Sequence, residues 1–196
     1  MSAAEPRVLA FAGSVRNGSV NRQLLDHAAG VVREQGLAVT TVDLADYPLP
    51  LFNEDLEAGE GTPDAATRLK ALFLDHQALL LACPEYNSSI TPLLKNTIDW
   101  MSRKAEGEGP LAAFDGKVVG LLAASPGSLG GLRGLVHVRD ILGNIRCHVL
   151  PEQVAVPKAH EAFDEQGRLT AEPAASLVQA LAASLARTTT ALHAAP

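Results

Sequence analysis

Short apolar runs recur along this chain at roughly even intervals, and they are continuous instead of alternating with polar residues. Continuous runs of this length are typical of parallel β-strands that are covered on both faces. The intervals between them carry apolar residues at helical spacing, which indicates amphipathic helices. Five strands are predicted, at residues 8–12, 39–44, 78–83, 118–124 and, more weakly, 147–150. Five helices are predicted, at residues 21–34, 65–76, 92–103, 131–142 and 174–192.

The alternation of strands and helices predicts a doubly wound α/β domain with right-handed crossovers. Five strands favour the flavodoxin-like order 2-1-3-4-5, in a three-layer sandwich whose parallel sheet has helices on both faces. We predict a single domain over residues 1–196, because the chain has no internal repeat or linker and its length suits one core. Residues 45–62 and 157–173 lack either pattern, so they are expected to run over the surface. The third helix has the clearest start, with Thr91 as N-cap and Pro92 at its first position.

Under that strand order, the first, third and fourth strands are neighbours, and the loops that follow them meet at one edge of the sheet. Open α/β sheets bind their ligands at this carboxyl edge. The three loops, at residues 13–21, 84–89 and 125–131, are also polar and rich in glycine. We therefore expect the binding site to lie among them.

The first loop has the composition of a phosphate site. Residues 6–25 contain no acid, although a helix N-terminus normally attracts one, and this is expected where a bound anion takes that place. Ser14, Ser19 and Asn21 offer side-chain donors, and Arg16 offers charge-assisted hydrogen bonds. A P-loop fits less well, since Ser19 stands where that motif needs lysine. The alternative is a serine-capped helix whose Arg16 is merely solvated.

The second and third loops have the composition of a site for a flat ring. The second loop joins a rigid turn to an acid, an aromatic side chain and an amide, whereas the third is a glycine-rich turn that permits close approach. Other interpretations remain open: Glu85 as a solvated turn acid, Asn87 in an Asx turn, Tyr86 as a surface or interface residue. The third loop could also be no more than a flexible turn.

Composition narrows the class of protein. Hydrophobic residues make up 47% of the chain, which supports a packed globular domain. A net charge of -6 argues against nucleic-acid binding and against adsorption to anionic lipid. No apolar run approaches the roughly 20 residues that a membrane helix needs.

The cysteines and histidines predict neither a disulfide framework nor a metal site. Cys83 and Cys147 are far apart in sequence, so we interpret them as small buried side chains in a reducing cytoplasm. The six histidines are scattered without the spacing of metal ligands. The first seven residues lack the pattern of a secretory signal, which favours a cytoplasmic location.

Three motifs, taken together, resemble the NAD(P)H-dependent FMN reductases of the flavodoxin-like superfamily. The first motif consists of Gly13, Ser14, Arg16, Ser19, Asn21 and Leu24. The second runs from Pro84-Glu85-Tyr86-Asn87 through Leu94-Lys95-Asn96-Thr97-Ile98-Asp99-Trp100, and the third is Ser125-Pro126-Gly127 with Gly130-Gly131. The resemblance covers about residues 7–150.

The resemblance implies a non-covalent FMN. Its phosphate would be held by Ser14, Arg16, Ser19 and Asn21. Its isoalloxazine would be lined by Pro84, Glu85, Tyr86, Asn87 and Ser88, with Ser125, Gly127 and Gly130 on the other side. Because the cofactor supplies the chemistry, no catalytic side chain is expected.

The implied reaction is hydride transfer from NAD(P)H through bound FMN to a small acceptor: a quinone, free flavin, azo compound or metal oxyanion. The resemblance also implies a homodimer or homotetramer with the flavin near a subunit interface. The helix at 92–103, with Trp100 and Met101, would be either an interface element or an ordinary core helix. The rival functions are a flavodoxin-like electron carrier without nicotinamide activity, and a phosphate-binding regulatory domain. Four arginines are conceivable partners for the 2′-phosphate of NADPH: Arg16, Arg22, Arg103 and Arg133.

Overall fold

The computed structural model of the protein describes residues 5–193. The strands of this part of the chain are β1 (Arg7–Ala12), β2 (Ala38–Thr41), β3 (Ala78–Ala82), β4 (Glu85–Tyr86), β5 (Ser89–Ile90), β6 (Val118–Ala124) and β7 (His148–Val156). Five of them form a parallel sheet in the order β2-β1-β3-β6-β7, and β4 and β5 form a separate antiparallel hairpin. The sheet confirms the predicted order 2-1-3-4-5.

Helices cover both faces of the sheet. They are α1 (Val20–Glu34), α2 (Glu54–Glu60), α3 (Asp64–Asp75), α4 (Pro92–Met101), α5 (Leu132–Asn144) and α6 (Ala174–His193). On one face, α1 and α6 pack against Val8 and Ala10 of β1; on the other, α3, α4 and α5 pack against Leu9 and Phe11. Successive residues of a strand point to opposite faces, so a strand covered on both faces must be apolar throughout. This explains the continuous apolar runs and confirms the three layers.

The stretch at 45–62 is more ordered than predicted. β2 ends at Thr41, three residues early, and a short 3-10 helix at Leu44–Asp46 follows, capped by the Asp43 carboxylate, which accepts from the Ala45 N–H at 2.9 Å. The unpredicted α2 comes next. It buries no residue and carries four acids among its seven residues, so it leaves no apolar periodicity in the sequence.

The segment before α2 is held against α4. The indole Nε1 of Trp100 donates to the Pro50 carbonyl at 2.8 Å, and the Asn96 amide both donates to that carbonyl and accepts from the Phe52 N–H. Trp100 and Met101 are each only 1% exposed. Of the two interpretations of this helix, the core helix is therefore the correct one for these two side chains.

The last strand is longer than predicted. β7 runs to Val156, whereas the apolar run stops at Leu150, because Pro151, Glu152 and Gln153 interrupt it. The register shifts there, since Val149 pairs with Val119 but Gln153 pairs with Leu121. A proline within an irregularity is tolerated on an edge strand, which has no partner on its outer side. The stretch at 157–173 is only partly on the surface, because Ala159, Ala162 and Leu169 are buried.

Both cysteines are free and buried, as predicted. Burial raises the pKa of the Cys147 thiol to about 12 and also raises that of Cys83, so neither is a reactive thiolate near neutral pH. Residues 5–193 contain no helix of the length and apolarity that crossing a bilayer requires. In the same part of the chain, His, Cys, Asp and Glu side chains form no group of three that could hold a metal ion.

Candidate functional site

The loops after β1, β3 and β6 converge on one crevice of about 320 Å³ at the carboxyl edge of the sheet. They start side by side because Ala12 pairs with Ala82 and Ala82 with Leu122. The crevice is lined by Ser14, Arg16, Ser19, Val20, Asn21, Pro84, Glu85, Tyr86, Ala124, Ser125 and Pro126. The structure thus brings together residues from all three predicted motifs.

Two further cavities adjoin this crevice and share Ser14 and Arg16 with it. One, of about 610 Å³, extends along the start of α1 to Asp43 and Gln166. The other, of about 410 Å³, lies between Tyr86 and the start of α4. The three cavities meet at Ser14 and Arg16, and we treat them below as one cleft.

The first loop leads into α1 with its polar groups turned to the cleft. Ser19 is the N-cap, and its hydroxyl accepts from the Arg22 N–H at 3.4 Å. The Ser14 hydroxyl accepts from the Arg16 N–H at 3.3 Å. Each hydroxyl therefore keeps a proton that it can donate. The first turn of α1 carries no acid, as the sequence pattern requires of an anion site.

Arg16 differs from the other arginines around the cleft. Its guanidinium donates to the Asn17 carbonyl at 3.1 Å, and no carboxylate among residues 5–193 lies within ion-pair distance of it. Arg22 is paired with Asp26 and, at 2.9 Å, with Asp43. The positive charge at residue 16 is consequently not neutralised by any side chain in the described part of the chain.

Asn21 lies almost entirely inside the protein, with 4% of its surface exposed. Its Nδ2 donates to the Ala124 carbonyl at 2.8 Å, and its Oδ1 accepts from the Ala124 N–H at 2.9 Å. The side chain thus ties the start of α1 to the end of β6. One amide hydrogen is left over for a ligand.

The second loop is a β-hairpin, which the sequence analysis missed. Tyr86 pairs with Ser89, and the two residues between them have positive φ angles, 50° at Asn87 and 68° at Ser88. Two such residues form a type I′ turn, so Asn87 serves a tight hairpin turn instead of an Asx turn. Tyr86 is 55% exposed and borders two of the cavities. Asn87 and Ser88 line none of the three.

Glu85 is not a solvated turn acid, because only 9% of its side chain is exposed. Its Oε1 accepts from Arg133 Nη2 at 2.8 Å and from Nε at 3.1 Å, and its Oε2 accepts from the Gly134 N–H at 3.0 Å. Burial alone would raise the pKa of this carboxyl, but the Gly134 N–H and the Arg133 guanidinium outweigh it and hold the pKa below its ordinary value. The carboxylate therefore faces α5 and is charged at neutral pH.

The third loop is held by backbone hydrogen bonds to the end of β7 and the segment after it, so it is not a flexible turn. The Ser125 N–H donates to the Val156 carbonyl, the Ser125 carbonyl accepts from the Ala159 N–H, and both bonds measure 3.1 Å. The Ser125 hydroxyl accepts from the Gly127 N–H at 3.2 Å. Ser125 lines the crevice, but Gly127 and Gly130 do not. A Cβ on Gly130 would lie 2.6 Å from the Val156 carbonyl carbon, so this glycine serves packing against β7.

The start of α4 packs against the first loop and is hydrogen-bonded to it. The Thr91 hydroxyl donates to the Gly13 carbonyl at 2.9 Å and accepts from the Leu94 N–H at 3.3 Å, which confirms Thr91 as N-cap. A Cβ on Gly13 would lie 2.9 Å from Leu94 Cβ, so the helix approaches the loop backbone directly. Thr91, Pro92 and Leu93 line the 410 Å³ cavity, and the sequence analysis did not propose them as site residues.

Arg133 and Gly134 are the other residues near the site that the sequence analysis did not connect with the second loop. A Cβ on Gly134 would lie 3.3 Å from Glu85 Cβ, so the glycine permits the hairpin to pack on α5. A glycine inside a helical pattern is itself a signal of close approach. It does not say which segment approaches, and here that segment is 49 residues away.

Comparison with known proteins gives a consistent family. A sequence model described as NADPH-dependent FMN reductase matches residues 6–161. The chain is 39% identical over 174 residues to an NAD(P)H-dependent FMN reductase of Pseudomonas aeruginosa, covering 88% of this chain and 89% of that one. It is 35% identical over 168 residues to a probable NADPH:quinone oxidoreductase of Oryza sativa subsp. japonica, covering 83% and 78%.

A solved structure has the same overall architecture. The flavoenzyme FerB of Paracoccus denitrificans, an NAD(P)H:(acceptor) oxidoreductase, superposes with a TM-score of 0.80 at 25% identity, over 96% of this chain and 98% of that one. An archaeal flavodoxin, at 6% identity and a TM-score of 0.62, shares the fold alone. From the family match over most of the chain and from these relatives, we conclude that the chain belongs to the NADPH-dependent FMN reductase family.

Proposed function

We propose that this protein binds FMN in the three-loop crevice and uses it to transfer hydride from NAD(P)H to a quinone or a similar small acceptor. The single observation that carries the proposal is the state of Arg16. It is a guanidinium that has no carboxylate partner within residues 5–193, at an acid-free helix N-terminus that borders the cleft. A site that leaves such a charge unpaired is suited to an anion from outside the chain.

The residues of the first loop fit a phosphate ester. Ser14 and Ser19 each keep a hydroxyl proton, Arg16 supplies charge, and the first N–H groups of α1 point along the helix axis toward the cleft. Asn21 contributes its one remaining amide hydrogen and, above all, holds the helix start against β6. These donors are what a phosphate dianion requires, and a charge-assisted hydrogen bond contributes about 1.5–3 kcal/mol.

The other two loops fit the two sides of a flat ring. Pro84 and Tyr86 border the crevice on one side, and Ser125 and Pro126 border it on the other. The third loop is fixed by backbone hydrogen bonds, so it offers a preformed wall. In this scheme Gly127 and Gly130 give the loop its shape, and Asn87 and Ser88 give the hairpin its turn. Bound FMN would supply the hydride chemistry, so the residues of the chain have only to bind and orient.

The 410 Å³ cavity suits the two molecules that would bind in turn, NAD(P)H and the small acceptor. It is open, lies beside the exposed Tyr86, and is bordered by Val15, Pro92 and Leu93, which are apolar. A shallow apolar surface accepts a nicotinamide or a quinone by stacking, with little selection among acceptors. The names of the relatives support quinones as acceptors, since several of them are quinone oxidoreductases or quinone reductases.

We further propose that the protein works as a homodimer or homotetramer in the cytoplasm. Exposed apolar side chains lie close to the site on the hairpin, the loops and α5: Val15 at 49%, Tyr86 at 55%, Leu129 at 46%, Leu132 at 40% and Val136 at 48%. Leu132 and Val136 lie one turn apart on α5, and Leu129 belongs to the loop that precedes it. Exposed apolar side chains grouped in this way are typical of a subunit interface. The two free cysteines support a reducing compartment.

The test is a titration of the purified protein with FMN and, in parallel, with riboflavin, followed by absorbance and fluorescence. We expect stoichiometric binding of FMN, much weaker binding of riboflavin because it lacks the phosphate, and steady-state oxidation of NADPH or NADH with a small quinone. A flavodoxin-like carrier would bind FMN but show very little nicotinamide oxidation. Failure to bind FMN, or equal binding of riboflavin, would contradict the proposed site.

A further inference from the structure

Glu85 borders the proposed ring site, but its carboxylate is turned to α5, where it pairs with Arg133. Glu85 is the first residue of the β4–β5 hairpin, next to Tyr86, and its carboxylate is turned to the start of α5. None of its hydrogen bonds goes to the first loop or to the third. This orientation is unexpected for a residue whose neighbours, Pro84 and Tyr86, border the crevice.

Both oxygens of the Glu85 carboxylate accept hydrogen bonds from α5. Arg133 grips Oε1 with two nitrogens, at 2.8 and 3.1 Å, while the Gly134 N–H binds Oε2 at 3.0 Å. A Cβ on Gly134 would lie 3.3 Å from the Glu85 Cβ, so the glycine lets α5 approach the hairpin closely. Because Arg133 holds Oε1 and the Gly134 N–H holds Oε2, both carboxylate oxygens are bound and the orientation of the group is fixed.

Apart from Ile90, which packs against the core, the hairpin is held to α5 by few side-chain hydrogen bonds. Its two strands are two residues each, and an isolated short hairpin is unstable in water. Its other side-chain link to α5 is a bond of 2.9 Å between the Ser89 hydroxyl and His137 Nδ1, which is solvent-exposed. The Glu85 pair is by contrast largely buried on the carboxylate side.

We infer that Glu85 is a positioning residue, which clamps the β4–β5 hairpin to α5 through Arg133 and Gly134 and thereby sets Pro84 and Tyr86 for the flavin ring. The inference rests on the proposed site, because it assumes that this hairpin borders the ring. It also gives Arg133 a role separate from a 2′-phosphate, since its Nε and Nη2 are bound to Glu85.

The test compares Glu85→Gln and Arg133→Met with the wild-type protein and with Asp99→Asn. Asp99→Asn removes the ion pair of Asp99 with Lys95, which is also 2.8 Å long but belongs to α4 and lies outside the crevice. Glu85→Gln keeps the shape and an acceptor for the Gly134 N–H, so the variant is expected to fold. Arg133→Met removes the partner instead and leaves Glu85 in place.

The first measurement is hydrogen exchange of the protein without flavin. In both variants of the clamp, amides of residues 85–90 should exchange about tenfold faster, as expected when a charge-assisted contact is lost locally, while the strands of the sheet keep their protection. Asp99→Asn should leave the hairpin unchanged. Unchanged exchange at 85–90 in both variants would overturn the inference.

The second measurement is the FMN dissociation constant, with kcat and KM for NADPH and NADH. We expect about tenfold weaker FMN binding in each single variant, no further loss in the double variant, and an unchanged ratio of NADPH to NADH use in Arg133→Met. A merely structural role would lower the melting temperature and leave FMN affinity intact, which would contradict the inference. If the wild-type protein bound no FMN, the proposed site would fail, and the exchange experiment would still decide whether the clamp exists.

Discussion

The first and third loops border the same crevice, but they use their polar groups in different ways. The third loop is fixed through its main chain, because the Ser125 N–H and carbonyl bind the backbone of Val156 and Ala159. The first loop instead carries the Arg16 guanidinium, which has no carboxylate partner among residues 5–193. The difference suggests that one side of the crevice provides shape and the other provides attraction for a charged group.

Two glycines carry the same contrast. Gly18 and Gly130 have nearly equal positive φ angles, 66° and 62°, which side chains rarely adopt. A Cβ on Gly18 would meet nothing within 4 Å, whereas a Cβ on Gly130 would lie between 2.6 and 2.8 Å from backbone atoms of Val156 and Pro157. The first loop is therefore open around its glycine, and the third is closed.

The largest effect is expected from Gly130→Ala. The substitution adds a backbone clash to the cost of the left-handed conformation, so the free energy of unfolding should fall by about 3 kcal/mol or more. Gly18→Ala, the matched control, should cost only the conformational part, about 1–2 kcal/mol. Urea unfolding of both variants measures the difference. Equal losses would show that the two loops are packed alike.

Asn21→Ala should break the hydrogen bonds that join the start of α1 to the end of β6. It leaves the N–H and the carbonyl of Ala124 without their partners in a buried place, which costs about 2–4 kcal/mol in unfolding free energy. Asn17→Ala is the control, because Asn17 is exposed and its recorded contact uses the backbone carbonyl. If Asn21→Ala proved as stable as the control while FMN binding was lost, Asn21 would be a ligand and not a link.

Arg16→Ala should give the opposite result, with affinity lost and stability kept. The side chain is exposed and its one recorded bond is to a neighbouring carbonyl, so the unfolding free energy should change by less than about 0.5 kcal/mol. FMN binding should weaken by about 1.5–3 kcal/mol, which is roughly tenfold to a hundredfold. Arg146→Ala, at an exposed pair with Asp115, is the control. Binding of riboflavin should be the same in all three proteins, and a matching loss for riboflavin would place the phosphate elsewhere.

The fold was more predictable from the sequence than the details of its edges and loops. The sheet order and the three layers were predictable, because burial on both faces forces continuous apolar runs such as residues 78–83 and 118–124. β7 was cut short because Pro151 and Glu152 interrupt its run at an irregular edge. The hairpin escaped notice because its strands have two residues each, too few for any periodicity.

Within the site, composition predicted the loops but not the partners of their side chains. Asn21 binds Ala124 across 103 residues, and Glu85 binds Arg133 across 48, and no local spacing encodes either contact. Likewise the sequence does not distinguish a glycine that is required for packing, such as Gly130, from a glycine that faces a ligand. The acid-free start of α1 was predictable, because it is visible in the sequence. Which arginine stays unpaired was not, since Asp75 and Asp43 reach Arg7 and Arg22 from distant positions.

The smallest expected effect is a pH dependence of the unfolding free energy that comes from Glu85. The Glu85 carboxyl has a folded-state pKa below its unfolded value of about 4.3, mainly because the Gly134 N–H and Arg133 outweigh the effect of burial. Such a group adds stability that is fully present above the unfolded pKa and is lost as the pH falls through the folded pKa. The unfolding free energy of the wild-type protein should therefore decline more steeply with acid below about pH 5 than that of Glu85→Gln. Urea unfolding of the two proteins from pH 6 downward measures this difference. Parallel curves would mean that Glu85 has the same pKa in the folded and the unfolded protein, and hence that the contact with Arg133 does not stabilise the carboxylate in solution.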